Sequence, residues 1–410
     1  MATETGVWTL QEVRDKQLAG EWDYTDTTGL YTWGQNNVGK LGHNNQTNYS
    51  SPTQVPGSWT KAFITGSDNT KFLLLSKESG TLWGVGESYE GALGLNTGEL
   101  GGVWQVSSPT QIPGTTWSNA VGGENMTIAT KTDGSLWMWG DNTYGGLGAN
   151  LAGGMPYTKR SSPIQVGTDT TWSTNITNGQ GAAWAIKTNG TLWAWGNNQQ
   201  YGALGLNQFG PGTNYSSPVQ VGTDTTWSSL GAGSGQGGVM AAFKTDGTLW
   251  TWGRNYAGAL GLNSASPSNG RSSPTQLPGT TWASVSVGSY QMMATKTDGT
   301  LWSWGYNYYG NLGDNTNIKY SSPVQIGTDT TWSKVNGKQR MGYTAAALKT
   351  DGTLWAWGNS ASGVLGQNEG HNPAPAAPAV SSPIQIPGTW DSFDLAGVYG
   401  HMGHIAAIKS

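Results

Sequence analysis

Cysteine is absent from the 410 residues, so neither a disulfide nor a thiolate-bound metal can be part of this protein. Charge is scarce as well: only 11% of residues are Asp, Glu, Lys or Arg, the net charge is −4, and Lys and Arg are scattered. Nucleic-acid binding needs a basic stripe to neutralise phosphates, and that class is excluded as a partner. No apolar run approaches the roughly 20 residues of a membrane span. The opening lacks the basic-then-apolar pattern of a secretory signal, so export by that route is not expected. Histidine occurs four times, at His43, His371, His401 and His404. His401 and His404 are three apart, which places them on opposite faces of a strand, and no zinc site is expected.

Catalytic patterns are missing too. There is no Gly-x-Ser-x-Gly elbow and no convincing His/Asp partner set. Glu87, Glu90, Glu99 and Glu124 crowd one region without two of them facing each other across a cleft, as glycoside hydrolysis would need. The Gly-rich segments lack the Lys-Ser/Thr of a phosphate loop. The chain is read as a non-enzyme, with no cofactor and no metal.

Glycine and tryptophan are what the chain has in excess, with 64 and 23 copies. The tryptophans are periodic. Leu249-Trp250-Thr251-Trp252-Gly253 is one of seven copies, the others beginning at Leu30, Leu82, Leu136, Leu192, Leu301 and Leu354. Their first aromatics (Tyr31, Trp83, Trp137, Trp193, Trp250, Trp302 and Trp355) are 52 to 57 residues apart. A fixed period of this length marks a repeat architecture. Nineteen of the tryptophans occupy repeat positions, so their excess is structural rather than a binding platform.

Each repeat reads as four short strands. In the fifth, Ala241 to Thr245 is one strand, Asp246-Gly247 a tight turn with positive φ expected at both positions, and Leu249 to Gly253 the return. A Gly-rich connection, Asn255-x-x-Gly258-x-Leu260-Gly261-x-Asn263, leads to a third strand at Ser272-Ser273-Pro274, and a fourth starts at Trp282. Pro at a strand's start costs no ladder bond. The recurrent Thr-Asp-Thr-Thr carries Asp169, Asp224 and Asp329, read as turn-forming residues over an oxygen-ligand calcium site.

The ends are complementary. Six hairpins are complete, while the last strand, Ile405 to Lys409, has no partner after it and the first, Leu30 to Trp33, none before it. Pairing them completes a blade from both termini and removes two open sheet edges. The expectation is an all-β, seven-bladed β-propeller of four-stranded blades over residues 29–410, with its ring closed by the N- and C-terminal strands.

These residues, Leu-Trp-x-Trp-Gly-x-Asn-x-x-Gly-x-Leu-Gly, then Ser-Pro-x-Gln-Val, then Lys-Thr-Asp-Gly-Thr, resemble the regulator-of-chromosome-condensation repeat in all seven copies. The resemblance implies a seven-bladed propeller with split closure. The family's eukaryotic founder is an exchange factor for a small nuclear GTPase and binds chromatin, while other members are recognition platforms. Many family repeats carry a His that is missing here from Gly122-Gly123-Glu124-Asn125-Met126 and Gly288-Ser289-Tyr290-Gln291-Met292. No exchange wedge or basic tail is present, so exchange activity is not carried over.

Residues 1–28 stand outside the repeat. Thr9 to Glu12 has capping-box spacing, and a short amphipathic helix is expected over about 10–19. Trp8, Leu10, Val13, Leu18 and Trp22 would dock it on the propeller's rim or on a partner. Gly6 to Trp22 resembles the opening of virion proteins encoded by marine tailed phages.

The repeat varies most between Leu-Gly-x-Asn and Ser-Ser-Pro. Such loops emerge on one face of a propeller and mark its binding side. Trp104, Met155, Tyr157, Lys159, Arg160, Phe209, Tyr215, Arg271 and Tyr320 are the candidate partner-binding residues. Residues 372–378, rich in Pro and Ala, are read as a stiff projecting loop.

Three functions follow. The first is a structural module of a virion or cell surface, binding other virion or surface proteins, a host receptor or a glycan, with homo-oligomers open to it. The second is an intracellular protein-interaction propeller, including a GTPase regulator, in which case the protein is cytoplasmic. The third is a polysaccharide-acting enzyme. Whichever holds, deleting residues 404–410 should open the ring. The expected result is a lower thermal midpoint and self-association in light scattering; an unchanged monomer would refute the closure.

Overall fold

In a computed structural model of the chain, the described residues are 29–409 except 65–71, 98–103, 124, 151–158, 180, 200, 232–237, 265–269, 336–337, 340–343, 361–362, 369–378 and 398–402. The helix and anchoring residues expected within 1–28 lie outside them, as do Met155, Tyr157 and the Pro-rich loop.

Seven antiparallel sheets form the blades of a propeller. Blades 2 to 7 are continuous stretches: 61–111, 117–165, 172–220, 227–276, 282–325 and 332–389. In each, four strands follow one another outward from the axis and are named a to d here. In blade 5 they are Trp227–Leu230, Met240–Lys244, Leu249–Gly253 and Arg271–Gln276. Strands a are innermost, since residues of five of them (Phe63, Asn119, Thr174, Leu230 and Asp394 among them) line one axial cavity of about 220 Å³.

Blade 1 joins the two ends of the chain. Its strands c and d are Gly29–Gly34 and Tyr49–Val55, while a and b are Ser392–Gly397 and His404–Lys409. The seam is a full ladder from Gly29 opposite Lys409 to Gly34 opposite His404. A two-residue strand, Lys338–Gln339, adds in parallel to Ser392–Gly397 and ties the last blade to the first.

The hairpin between strands b and c differs from the sequence expectation. Gly247 has φ +77° but Asp246 has a negative φ. Gly247 N–H bonds Lys244 O at 3.1 Å and Lys244 N–H bonds Thr248 O at 3.0 Å. This is a three-residue loop whose glycine sits in the left-handed region, not a two-residue turn. Asp246 is there for its side chain. Its Oδ1 accepts Thr248 N–H at 3.0 Å and Thr248 Oγ1–H at 2.6 Å, and Thr248 Oγ1 accepts Trp250 Nε1–H at 2.9 Å.

The three tryptophans of a repeat then have separate tasks. Trp227 stands edge-on to both Trp250 and Trp252, with centroids 6.0 and 6.3 Å away. Lys244 Nζ is held over the first two rings, 5.0 Å from Trp227 and 3.9 Å from Trp250. Trp252 is fully buried and donates its indole N–H to Ala203 O of the preceding blade at 2.8 Å. The same bond leaves Trp33, Trp139, Trp195, Trp304 and Trp357 for the blade before each. Blade 2 has Val85 at this position.

A second tie recurs at all seven interfaces. The asparagine of Leu-Gly-x-Asn, such as Asn263 at φ +57°, bonds through its N–H to a serine carbonyl of the next blade's strand d, here Ser321 O at 2.8 Å. The closing interface uses the same bond, Asn368 N–H to Ser50 O at 2.9 Å. Gly258 makes this approach possible: at φ +83°, a Cβ there would lie 2.5 Å from Ser321 Cα. Apolar burial follows the same seams. Each of the seven core clusters spans two neighbouring blades, as when Leu249, Leu260 and Leu277 of blade 5 pack on Trp282, Val285 and Trp304 of blade 6.

His404, in the closing strand, is fully buried, and neither ring nitrogen has a hydrogen-bond partner. Burial first, then the charge of Lys40, holds its pKa well below the usual value of 6.5. The folded state therefore carries a neutral imidazole and the unfolded state takes up a proton below about pH 6.5. The stability contributed by the neutral ring is fully present above that pH and is lost as pH falls toward the folded-state value. Urea midpoints between pH 7.5 and 5 should drop in the wild type and drop less in His404→Gln, in which His43, also lowered by burial, still contributes; parallel profiles would refute this.

Candidate functional site

Chain direction sorts the connections onto two faces. The a–b turns and c–d loops emerge together on one face, and the b–c hairpins and d–a connections on the other. The second, hairpin face uses its charges internally. Asp224 Oδ1 accepts Thr226 N–H at 2.9 Å and its Oγ1–H at 2.6 Å, while Oδ2 forms an ion pair with the clamped Lys244. Asp169 pairs with Lys187 and Asp329 with Lys349 in the same way. Those lysine contacts, with the threonine hydroxyls, pull each Asp pKa from 3.8 to about 2. The Thr-Asp-Thr-Thr aspartates are thus turn residues with a lysine counter-ion. Among the described residues, no three His, Asp or Glu side chains converge as metal ligands.

The loop face is different. Six large apolar side chains are exposed among the described residues: Tyr89, Trp104, Phe209, Tyr256, Tyr308 and Ile318. All six lie in c–d loops or, for Trp104, at the first residue of strand d.

The residues singled out from sequence divide into two groups. Trp104 and Phe209 are 56% and 62% exposed, open to a partner. Arg160, Tyr215, Arg271 and Tyr320 hold one equivalent position, opposite the glycine that ends strand c: Gly140, Gly196, Gly253 and Gly305. They stand one per blade around the ring and do not converge. Tyr215 is half-buried against the clusters on both sides of blade 4 and bonds Gln208, so its ring serves the fold. Lys159 forms an ion pair with Glu90 of blade 2 and also ties neighbouring blades.

Sequence reasoning missed the densest aromatic group on this face. Tyr256 and Tyr290 rings are 4.7 Å apart, Tyr290 and Tyr306 6.4 Å, Tyr306 and Tyr308 6.3 Å with near-parallel planes, and Tyr308 and Tyr309 4.9 Å. Arg254 enters from blade 5 among Tyr201, Tyr256 and Tyr290. Burial and the neighbouring phenols push the Tyr306 pKa up, so it remains a hydrogen-bond donor. Aligning the repeats by residue would have shown Arg254 and Tyr306 where other copies carry Gln35, Asp141, Asn197 and Asn359.

Exposed and packed aromatics should separate by stability. Phe209→Ser and Tyr308→Ser are expected to leave unfolding within about 0.5 kcal/mol of wild type, and Tyr215→Ser to cost roughly 1–3 kcal/mol, by urea denaturation. Equal costs would overturn the division.

Residues 29–67, 246–295 and 298–336 match the family model of the regulator of chromosome condensation (RCC1) repeat. The chain is 29% identical over 279 residues to the RCC1 domain-containing protein RUG3, mitochondrial, of Arabidopsis thaliana, covering 65% of this chain and 58% of that one. It is 26% identical over 342 residues to the ultraviolet-B receptor UVR8 of the same plant, covering 82% and 74%. In fold it superposes on yeast RCC1 (Prp20), solved with Kap60 bound, at TM-score 0.75 and 18% identity, covering 93% and 89%. The chain is a seven-bladed propeller, and residues 29–67, 246–295 and 298–336 of it match the RCC1 repeat.

Proposed function

We propose that this protein is a non-catalytic interaction propeller that binds a protein partner through its loop face. One observation carries this reading: every large apolar side chain exposed among the described residues lies on that face. The hairpin face ties up its lysines and aspartates in the fold. Concentrated exposed aromatics are the usual anchors of protein interfaces. The relatives support the same class, since yeast RCC1 takes a protein partner and UVR8 is a receptor.

That favours the second of the three functions set out above. The virion or surface role, with its glycan and host-receptor partners, rests on residues 6–22. It draws no support from the plant and yeast relatives. The GTPase-regulator version of the interaction role needs a wedge that the sequence does not display.

A photo-crosslinking residue placed at Phe209 or Trp104 tests the proposal, with Ser79 and Thr245 on the hairpin face as controls. In extracts of the protein's own cells, the loop-face probes are expected to capture a discrete protein that the controls do not. Equal capture from both faces, or capture from the hairpin face alone, would sink it.

A further inference from the structure

The loop face holds an arginine, Arg254, set among aromatic rings. The Arg254 guanidinium carbon lies 5.0 Å from the ring centroid of Tyr201 and 5.4 Å from those of Tyr256 and Tyr290. These rings come from blades 4, 5 and 6, so no single repeat contains the cage. Arg254 Nε is enclosed and has no hydrogen-bond partner. Lys159, Lys187, Lys244 and Lys349 each have a carboxylate, whereas among the described residues none pairs with Arg254. Ring faces attract a cation but do not neutralise it. The residue is only half-buried, so its charge can be reached from solvent.

The surroundings reinforce that sign. Segments 197–214, 254–271 and 306–319, which include the c–d loops of blades 4 to 6, carry Arg254, Arg271 and Lys319 against Asp314 alone, in a chain of net charge −4. Beside the cation, the row from Tyr256 to Tyr309 offers ring faces and phenol donors, with Tyr256 39% and Tyr308 66% exposed. A planar guanidinium matches a carboxylate in geometry as well as charge.

We propose that Arg254 and the tyrosines around it form a docking site for an acidic peptide segment of the partner. A Glu or Asp carboxylate takes the guanidinium and the tyrosine hydroxyls, and an apolar neighbour lies on Tyr256 and Tyr308. Single-stranded nucleic acid also stacks on aromatics, but three dispersed cations give no track for successive phosphates. The site rests on the reading of the loop face as a protein-binding face.

The test is fluorescence anisotropy on the full chain with a labelled peptide of alternating Glu and Leu, the same peptide with Gln for Glu, and an oligogalacturonate competitor. The Glu peptide is expected to bind, with affinity falling as salt rises. Arg254→Gln and the Gln peptide should each weaken it about tenfold or more. Arg254→Lys should fall between, because it keeps the charge and loses the planar fork. Tyr308→Ser, at an exposed position, should weaken binding with the thermal midpoint unchanged, which covers the case of an unfolded Arg254→Gln. No binding by the wild type, equal binding of the Gln peptide, or unchanged affinity in folded Arg254→Gln would overturn the proposal. Binding of oligogalacturonate, read by quenching of the protein's intrinsic fluorescence, without peptide binding would overturn it in favour of an acidic glycan. If the Phe209 crosslink persists in Arg254→Gln at wild-type yield, the face stands and only the arginine site fails.

Discussion

The propeller depends on the bond from a buried indole to the blade before it. Trp252 is too large to sit within one four-stranded sheet, and its N–H would be orphaned in an apolar seam. Reaching Ala203 O satisfies the donor and fills the space between two sheets in one step. Five other interfaces repeat it. The paired Asn and Ser ties outside it make each interface directional, since a loop always reaches forward to the next blade. Seven directional steps that end on Ser50 close the ring, and the terminal ladder locks it.

The same economy separates the faces. Hairpins are short and similar, and each closes on its own Asp, Asn or Ser, a Thr or Ser, a Trp and a Lys. Little polar or apolar chemistry is left over there. The c–d loops are held by the indole–carbonyl and Asn–Ser ties, and the residues beyond those are freer to differ. Exposed aromatics and the Arg254 cage accumulate where the fold makes fewest demands. Function in such a scaffold belongs to the loops and not to the blades.

Much of this was legible in advance. The period, the four strands and the split closure follow from local pattern, because each repeat's strand spacing is set within about 55 residues of chain. Asp246 shows the limit of local reasoning. Its dipeptide signal predicted the hairpin, but the turn has one more residue, and the aspartate serves through its side chain, which is bound to Thr248. Tyr215 shows another limit. As a loop aromatic it looked available, yet its ring packs against clusters on both sides of its blade.

Sequence alone determined the architecture: seven repeats, their strand order, and the fact that the two ends must meet. Those are consequences of periodicity, which needs no knowledge of distance. Only the tertiary structure decided what lies beside what. Arg254, Tyr201 and Tyr290 are far apart in the chain, and nothing in any one repeat announces a cage. Their meeting is set by the angle between successive blades and by an arginine that pairs with no carboxylate among the described residues. Both are properties of the closed ring rather than of the repeat.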